Sequence, residues 1–211
     1  RGAHGFAPSK ADAPRTPIFK GNGCLDVFLN PVRIINYHPE NAEYSKAAKG
    51  FSSPKNMGFY CETQIQYPVY TPEYLDKHAG EILPNNSLIV FCDADCQSDI
   101  LQKIRENSRI YTDAGGFRYL DTYYRQPYCI LQILENPWNP EMSILTINCN
   151  SVPLLSQNIF TRSVILPTYH TGYHPYLNAV ALLYDGCKYS AVREFGMEPE
   201  NVDHERLQLE M

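Results

Sequence analysis

The sequence predicts an α/β domain: a three-layer sandwich with a mostly parallel central sheet and an antiparallel hairpin extension. Three observations support this. Strand-like runs alternate with helix-favouring segments through the first half, the pattern of right-handed crossovers between parallel strands. The run SLIVFC, residues 87–92, is continuously apolar, as a strand covered on both faces must be. The second half holds turn-linked pairs of strand-like runs, which imply antiparallel pairing at one edge.

In chain order, residues 1–20 are rich in Pro, Ala, Lys and Arg without periodicity and read as a linker or arm. Residues 21–196 read as a single α/β domain and 197–211 as a C-terminal tail. VRIIN (32–36) is the first clear strand, and NAEYSKAAKGF (41–51) is a short helix with Gly50 as its stop. QIQYPVY (64–70) alternates like a strand. TPEYLDKHAG (71–80) carries a full set of helix signals: Thr71 as N-cap, Pro72 at the first helical position, Glu73 in the first turn and Gly80 past the end. SDILQKIREN (98–107) is an amphipathic helix turning Ile100, Leu101 and Ile104 inward. CILQIL (129–134) and SILTIN (143–148) are strands joined by ENPWNPEM, whose Asn-Pro pairs force a turn. SVPLLSQNIF (151–160) reads as a further short helix. NAVALLYDGCKYSAV (178–192) is a hairpin meeting at Asp185-Gly186, a pair suited to a type I′ turn.

Composition narrows the function classes. At 211 residues, 44% hydrophobic and 19% charged, the chain can bury a core and is not a disordered segment. A net charge of -5 with no basic stripe argues against nucleic acid as a partner. No apolar run reaches the length of a membrane span. RGAHGFAPSKADAPR has no apolar core of a secretory signal. Without an initiator methionine, the chain reads as a mature or excised piece of something longer. Seven cysteines (24, 61, 92, 96, 129, 149 and 187) include no C-x-x-C pair, so no structural zinc framework is spelled out. Most of them are expected to be buried and reduced.

Four blocks carry a family resemblance: KGNGCLDVFLNPVRII (20–35), LPNNSLIVFCD (83–93), GGFRYLDTYYRQPYCILQILENPWNPEMSILTIN (115–148) and YHPYLNAVALLYDGCKYSAVREFG (173–196). In their order they resemble the accessory flavodoxin-like or Rossmann-like α/β domain found with bacterial prolyl-oligopeptidase-like α/β-hydrolase proteins. Asn136-Pro137-Trp138-Asn139-Pro140 is the most specific segment. At the end of the central strand, Cys92-Asp93-Ala94-Asp95 stands where that family has a Gly-Thr-type turn. The resemblance implies a non-catalytic accessory or interaction domain, with a neighbouring hydrolase domain or other protein as partner. It also implies an extracytoplasmic setting, a nucleophile elsewhere in the parent protein, and no cofactor.

Candidate site residues start with Asp93 and Asp95, because ligands of open α/β sheets bind beyond the carboxyl ends of the strands. Asp-x-Asp after an apolar strand is also the pattern of Mg²⁺-dependent phosphoryl transfer and of metal–nucleotide binding in glycosyl transfer. Cys96-Gln97 stands where the phosphatase pattern has a Thr, and its later Asp-Asp pair is missing. The plainer expectation is that Asp95 or Ser98 caps the following helix and Asp93 faces solvent. His170 and His174 have the i,i+4 spacing of a zinc pair, but Gly172 and Pro175 oppose a helix there. Cys92 or Cys96 with His170 would form a thiol nucleophile only if the fold brought them together. No Gly-x-Ser-x-Gly, Gly-x-Gly-x-x-Gly or P-loop is present. Tyr119, Tyr123, Tyr124 and Arg125, with Tyr169, Tyr173 and Tyr176, are candidates for a docking surface or for a sugar- or peptide-binding loop.

Overall fold

The computed structural model describes residues 23–52, 66–156, 179–185 and 189–201. The expected arm (1–20) lies outside the described residues. So do Gly186 of the expected type I′ turn, residues 157–160 of the expected short helix, and Cys61 and Cys187.

One sheet of eight strands forms the frame, ordered β11-β10-β9-β7-β8-β3-β1-β2. Its strands are β1 (Val32–Asn36), β2 (Val69–Tyr70), β3 (Ser87–Cys92), β7 (Cys129–Glu135), β8 (Ser143–Cys149), β9 (Ala181–Tyr184), β10 (Tyr189–Val192) and β11 (Glu200–Asn201). The expectation of a mostly parallel sheet is corrected: it is evenly mixed. β1 pairs parallel with β2 and β3, and β3 with β8. The β8–β7, β7–β9, β9–β10 and β10–β11 pairs are antiparallel. The cause is chain length, since only residues 136–142 connect β7 to β8 and a parallel crossover needs a dozen residues or more. A second sheet, β4 (Tyr111–Asp113), β5 (Gly116–Tyr119) and β6 (Thr122–Tyr124), is antiparallel throughout. The sequence reading had no strands there.

Helices pack on two separate apolar clusters. On one, the 3-10 helix (Gly23–Leu29), α1 (Ala42–Phe51) and α5 (Val152–Ser156) join Ile34, Ile89, Leu131, Leu145 and Ile147 of the sheet. On the other, α2 (Pro72–Lys77), α3 (Ala79–Asn85) and α4 (Asp99–Glu106) join Ile35, Leu88, Val90, Leu134 and Ile144. The alternation follows from the pleat, which sends successive side chains to opposite faces. All six residues of β3 are buried, as its unbroken apolar run requires. Each such Leu, Ile or Val stabilises the fold by about 1.5–3 kcal/mol.

Local signals account for the helix ends. Asn41 accepts the N–H groups of Glu43 and Tyr44 at 3.0 and 3.3 Å and starts α1, which buries Tyr44, Ala47, Ala48 and Phe51 along one face. Gly50 lies inside α1 and does not stop it. Thr71 caps α2 through Tyr74 N–H at 3.4 Å. The helix breaks at His78, two residues earlier than the sequence signals suggested, and Gly80 belongs to α3. Ser98 caps α4 through Leu101 N–H at 3.4 Å.

The ENPWNPEM turn has a specific architecture. Asn136 and Asn139 each accept an N–H two residues on, at 2.9 and 3.0 Å, closing Asx turns. Their amide groups donate to Leu83 and Pro84 carbonyls at 2.8 and 2.6 Å, tying the turn to the end of α3. The segment that looked most specific in sequence is thus a clamp at the start of β3.

Candidate functional site

β1 and β3 are parallel neighbours, with Asn36 opposite Phe91. Two residues past the end of β1 and one past the end of β3, His38 and Asp93 therefore meet at the carboxyl end of the sheet. His38 Nε2 lies 2.9 Å from Asp93 Oδ2. The turn 93–96 brings Cys96 Sγ to 3.2 Å from both His38 Nε2 and Asp93 Oδ1. One nitrogen, one oxygen and one sulfur donor thus converge, from the loops that follow two neighbouring strands of the sheet.

Asp93 is the hub. Its Oδ1 accepts the backbone N–H groups of Asp95 and Cys96 at 2.9 and 3.0 Å and the Cys96 thiol at 3.2 Å, while Oδ2 faces His38. An ionised carboxylate only accepts hydrogen bonds, so Nε2 carries its hydrogen towards Asp93. That nitrogen then has no lone pair for the Cys96 proton. Burial is the main reason the Cys96 thiol is pushed up to about 12, and the thiol stays neutral. The neighbouring Cys92 thiol, fully inside, is likewise raised by burial to about 12.

The shell around the cluster is ordered. Asn36 Oδ1 accepts the backbone N–H of His38 at 3.0 Å. The Tyr44 ring packs on the imidazole with centroids 4.5 Å apart, and its hydroxyl donates to Cys149 O at 2.8 Å. Burial drives the Tyr44 hydroxyl pKa far upward. Glu40 Oε1 stands 3.6 Å from His38 Nδ1. From α4, the Arg105 guanidinium donates to the carbonyls of both Asp93 and Cys96 and so fixes the turn from below. Tyr37 donates to Ser98 at 3.1 Å, joining the two loops. Below the cluster is a cavity of about 100 Å³ whose lining includes Cys92, Arg105, Gln132, Thr146 and Asn148.

The residues expected from sequence are placed unevenly. Asp93 is in the cluster and half-buried, not facing solvent. Asp95 is exposed, donates its backbone N–H to Asp93, and is not part of the His38–Asp93–Cys96 group. Ser98, not Asp95, caps α4. Cys96 does meet a histidine, but that histidine is His38. His170, His174, Tyr169, Tyr173 and Tyr176 lie outside the described residues. Tyr119 is corrected as a docking residue: it is buried, donating to Met197 O at 2.7 Å and accepting Gly196 N–H at 3.2 Å. Tyr124 is half-buried and stacks on Phe117 at 4.7 Å. Tyr123 and Arg125 are exposed, with the Tyr123 hydroxyl held by Asp113 at 2.8 Å.

Sequence reasoning missed His38 and Arg105. The available signal for His38 was its position just beyond a strand in NYHPEN, which mattered only once β1 and β3 were known to be neighbours. Among the described residues, His38, Asp93 and Cys96 are the one group of three able to hold a metal ion. No helix among them is long and apolar enough to cross a membrane. No family model and no curated protein matches this chain.

Proposed function

We propose that this chain is a non-catalytic α/β module, an accessory or interaction domain of a larger bacterial hydrolase of the peptidase or esterase kind. The observation that carries the non-catalytic part is the heavy-atom geometry at the sheet end. Asp93 Oδ2 lies nearer Nε2 than Cys96 Sγ does, 2.9 against 3.2 Å, and so occupies the nitrogen that a relay from Cys96 through His38 to Glu40 at Nδ1 would need. A thiol held at about 12, hydrogen-bonded to a carboxylate, is not an attacking group at neutral pH. The setting beside a hydrolase is supported by the four sequence blocks that resemble such accessory domains. The two apolar clusters, one on each face, support the three-layer arrangement that the resemblance implies.

The rival reading, Mg²⁺-dependent phosphoryl or glycosyl transfer, needs both acids on one cation, and among the described residues the metal-capable group takes in Asp93 with His38 and Cys96 but not the exposed Asp95. The test has two arms. The chain alone, given nitrophenyl esters, peptide anilides and nitrophenyl phosphate with Mg²⁺, should turn over none of them above buffer. Turnover that saturates and disappears in Cys96→Ala or Asp93→Asn would overturn the reading. Sequencing upstream of the codon for Arg1 should run into a hydrolase-type domain, and its absence would remove the proposed setting.

A further inference from the structure

We propose that His38, Asp93 and Cys96 form a three-ligand site for a borderline-soft divalent cation of the zinc class. This goes beyond the module reading and stands or falls separately from it, since an inert accessory domain can bind a metal or not.

The donor set comes first. Imidazole nitrogen, carboxylate oxygen and thiolate sulfur together select zinc-like ions over Mg²⁺ or Ca²⁺, which take oxygen ligands. A thiolate and a carboxylate carry two negative charges, matching a divalent cation. The spacing comes second. A tetrahedral zinc with bonds of about 2.0–2.1 Å to N and O and about 2.3 Å to S separates its ligands by roughly 3.3 Å (N to O), 3.6 Å (N to S) and 3.5 Å (S to O). Here Nε2 lies 2.9 Å from Asp93 Oδ2 and 3.2 Å from Cys96 Sγ, Sγ lies 3.2 Å from the other carboxylate oxygen, Oδ1, and one donor atom from each residue falls within 4.8 Å of the other two. The two edges at Nε2 have to widen by only about 0.4 Å, and turning the carboxylate sets which oxygen faces the sulfur, both within side-chain torsional adjustment.

The surroundings come third. A metal-bound histidine directs its other ring N–H at a carboxylate or carbonyl. Glu40 stands 3.6 Å from Nδ1, in that place. The Tyr44 ring, the Asn36 bond to the His38 backbone and the two Arg105 bonds hold the ligands before any ion arrives. On binding, the thiol releases its proton to solvent as the sulfur–metal bond forms. The imidazole hydrogen then resides on Nδ1 facing Glu40, freeing Nε2 for the ion. Three vertices are filled, and among the described residues no fourth His, Cys, Asp or Glu joins them. The remaining vertex takes water or a donor atom of a bound molecule, the arrangement of open zinc sites.

The experiment titrates the metal-free, reduced chain with Co²⁺ under argon and then displaces it with Zn²⁺. Expected are one ion per chain, a thiolate-to-cobalt charge-transfer band with tetrahedral d–d absorption, and full displacement by one equivalent of zinc. Cys96→Ala should lose the charge-transfer band, and His38→Ala should weaken binding at least 100-fold. Glu40→Gln, at an exposed position, should weaken it about tenfold. In the wild-type chain, zinc should protect Cys96 from iodoacetamide, read by peptide mass, which does not depend on any variant folding. Failure of the wild-type chain to bind an ion at micromolar concentration would overturn the proposal. So would a charge-transfer band that survives Cys96→Ala, or zinc leaving Cys96 alkylation unchanged.

Discussion

Replacing Asp93 by alanine removes the acceptor shared by four donors. Two are backbone N–H groups at 2.9 and 3.0 Å, one is the Cys96 thiol at 3.2 Å and one is His38 Nε2 at 2.9 Å. A hydrogen bond to a charged group contributes about 1.5–3 kcal/mol when desolvated. The Asp93 side chain is 23% exposed, so the Asp95 N–H and the imidazole recover water, and mainly the buried Cys96 donors are stranded. The expected loss is about 2–3 kcal/mol, not the sum of four bonds. For a chain of this size that lowers the melting temperature by roughly 4–12 °C. Asparagine separates the causes. It keeps Oδ1 for both N–H groups, since Asn closes Asx turns as well as Asp does. Its amide faces Nε2, and the ring accommodates that by moving its hydrogen to Nδ1, so Asp93→Asn should cost about 1 kcal/mol or less. Urea unfolding in chelator-containing buffer, with the slope checked for constancy, measures all three proteins. If Asn is as damaging as Ala, the negative charge and not the acceptor geometry organises the loop. If Ala costs under about 0.5 kcal/mol, Asp93 organises nothing.

Asn136→Ala should be more damaging than its turn position suggests. The residue is 1% exposed, and its loss strands the Leu83 and Asn86 carbonyls and the Trp138 N–H, costing about 2–4 kcal/mol by urea midpoint. Gly116→Ala places a Cβ 2.1 Å from the backbone oxygen of Tyr124, so β5 and β6 must separate. Hydrogen exchange in residues 111–124 should accelerate, and unchanged protection would refute the contact. Alkaline pH should destabilise the fold. The Cys92 and Cys96 thiols are pushed from 9.0 to about 12 by burial, so the folded chain keeps protons that the unfolded chain releases above pH 9. This stability is fully present below pH 9 and is lost as pH rises towards 12. The melting temperature should be flat from about pH 6 to 8.5 and then fall, less steeply in Cys96→Ala. An equal slope in both proteins would contradict the thiol assignment.

The residues show why the fold was more legible than the site. β1, β3, β7 and β8 stand where apolar runs stood, because burial on both faces leaves an unbroken signature that flanking polar residues end sharply. Ser98 and Thr71 were readable as caps because capping is local, a side chain meeting an N–H three residues on. The small sheet was not readable. β4 and β6 are mostly exposed, so no alternation marks them, and they exist through pairing with β5. Gly80 misled because the break at His78 is set by stacking of its ring on Tyr74, centroids 4.1 Å apart, together with a bond from Nδ1 to the Tyr74 carbonyl at 2.9 Å. His38 and Cys96 were unreadable as a pair for a stronger reason: their meeting depends on β1 and β3 being parallel neighbours, which neither segment encodes alone.

β3 is held at its two ends by different chemistry, and this bears on what the carboxyl end can do. At its start, Asn136 and Asn139 tie neutral carbonyls through fixed turns, an arrangement with nothing to ionise. At its end, a carboxylate collects an imidazole and a thiol, two groups whose hydrogens can leave. The first clamp has one state. The second, on the metal site proposed above, has two, one held together by protons and one by a cation, built from the same three side chains. A strand fixed at its start lets its other end change occupant without moving the sheet. The Asp93 hub is therefore compatible both with an inert scaffold and with a metal centre, and protein–metal stoichiometry separates the two more directly than any assay of turnover.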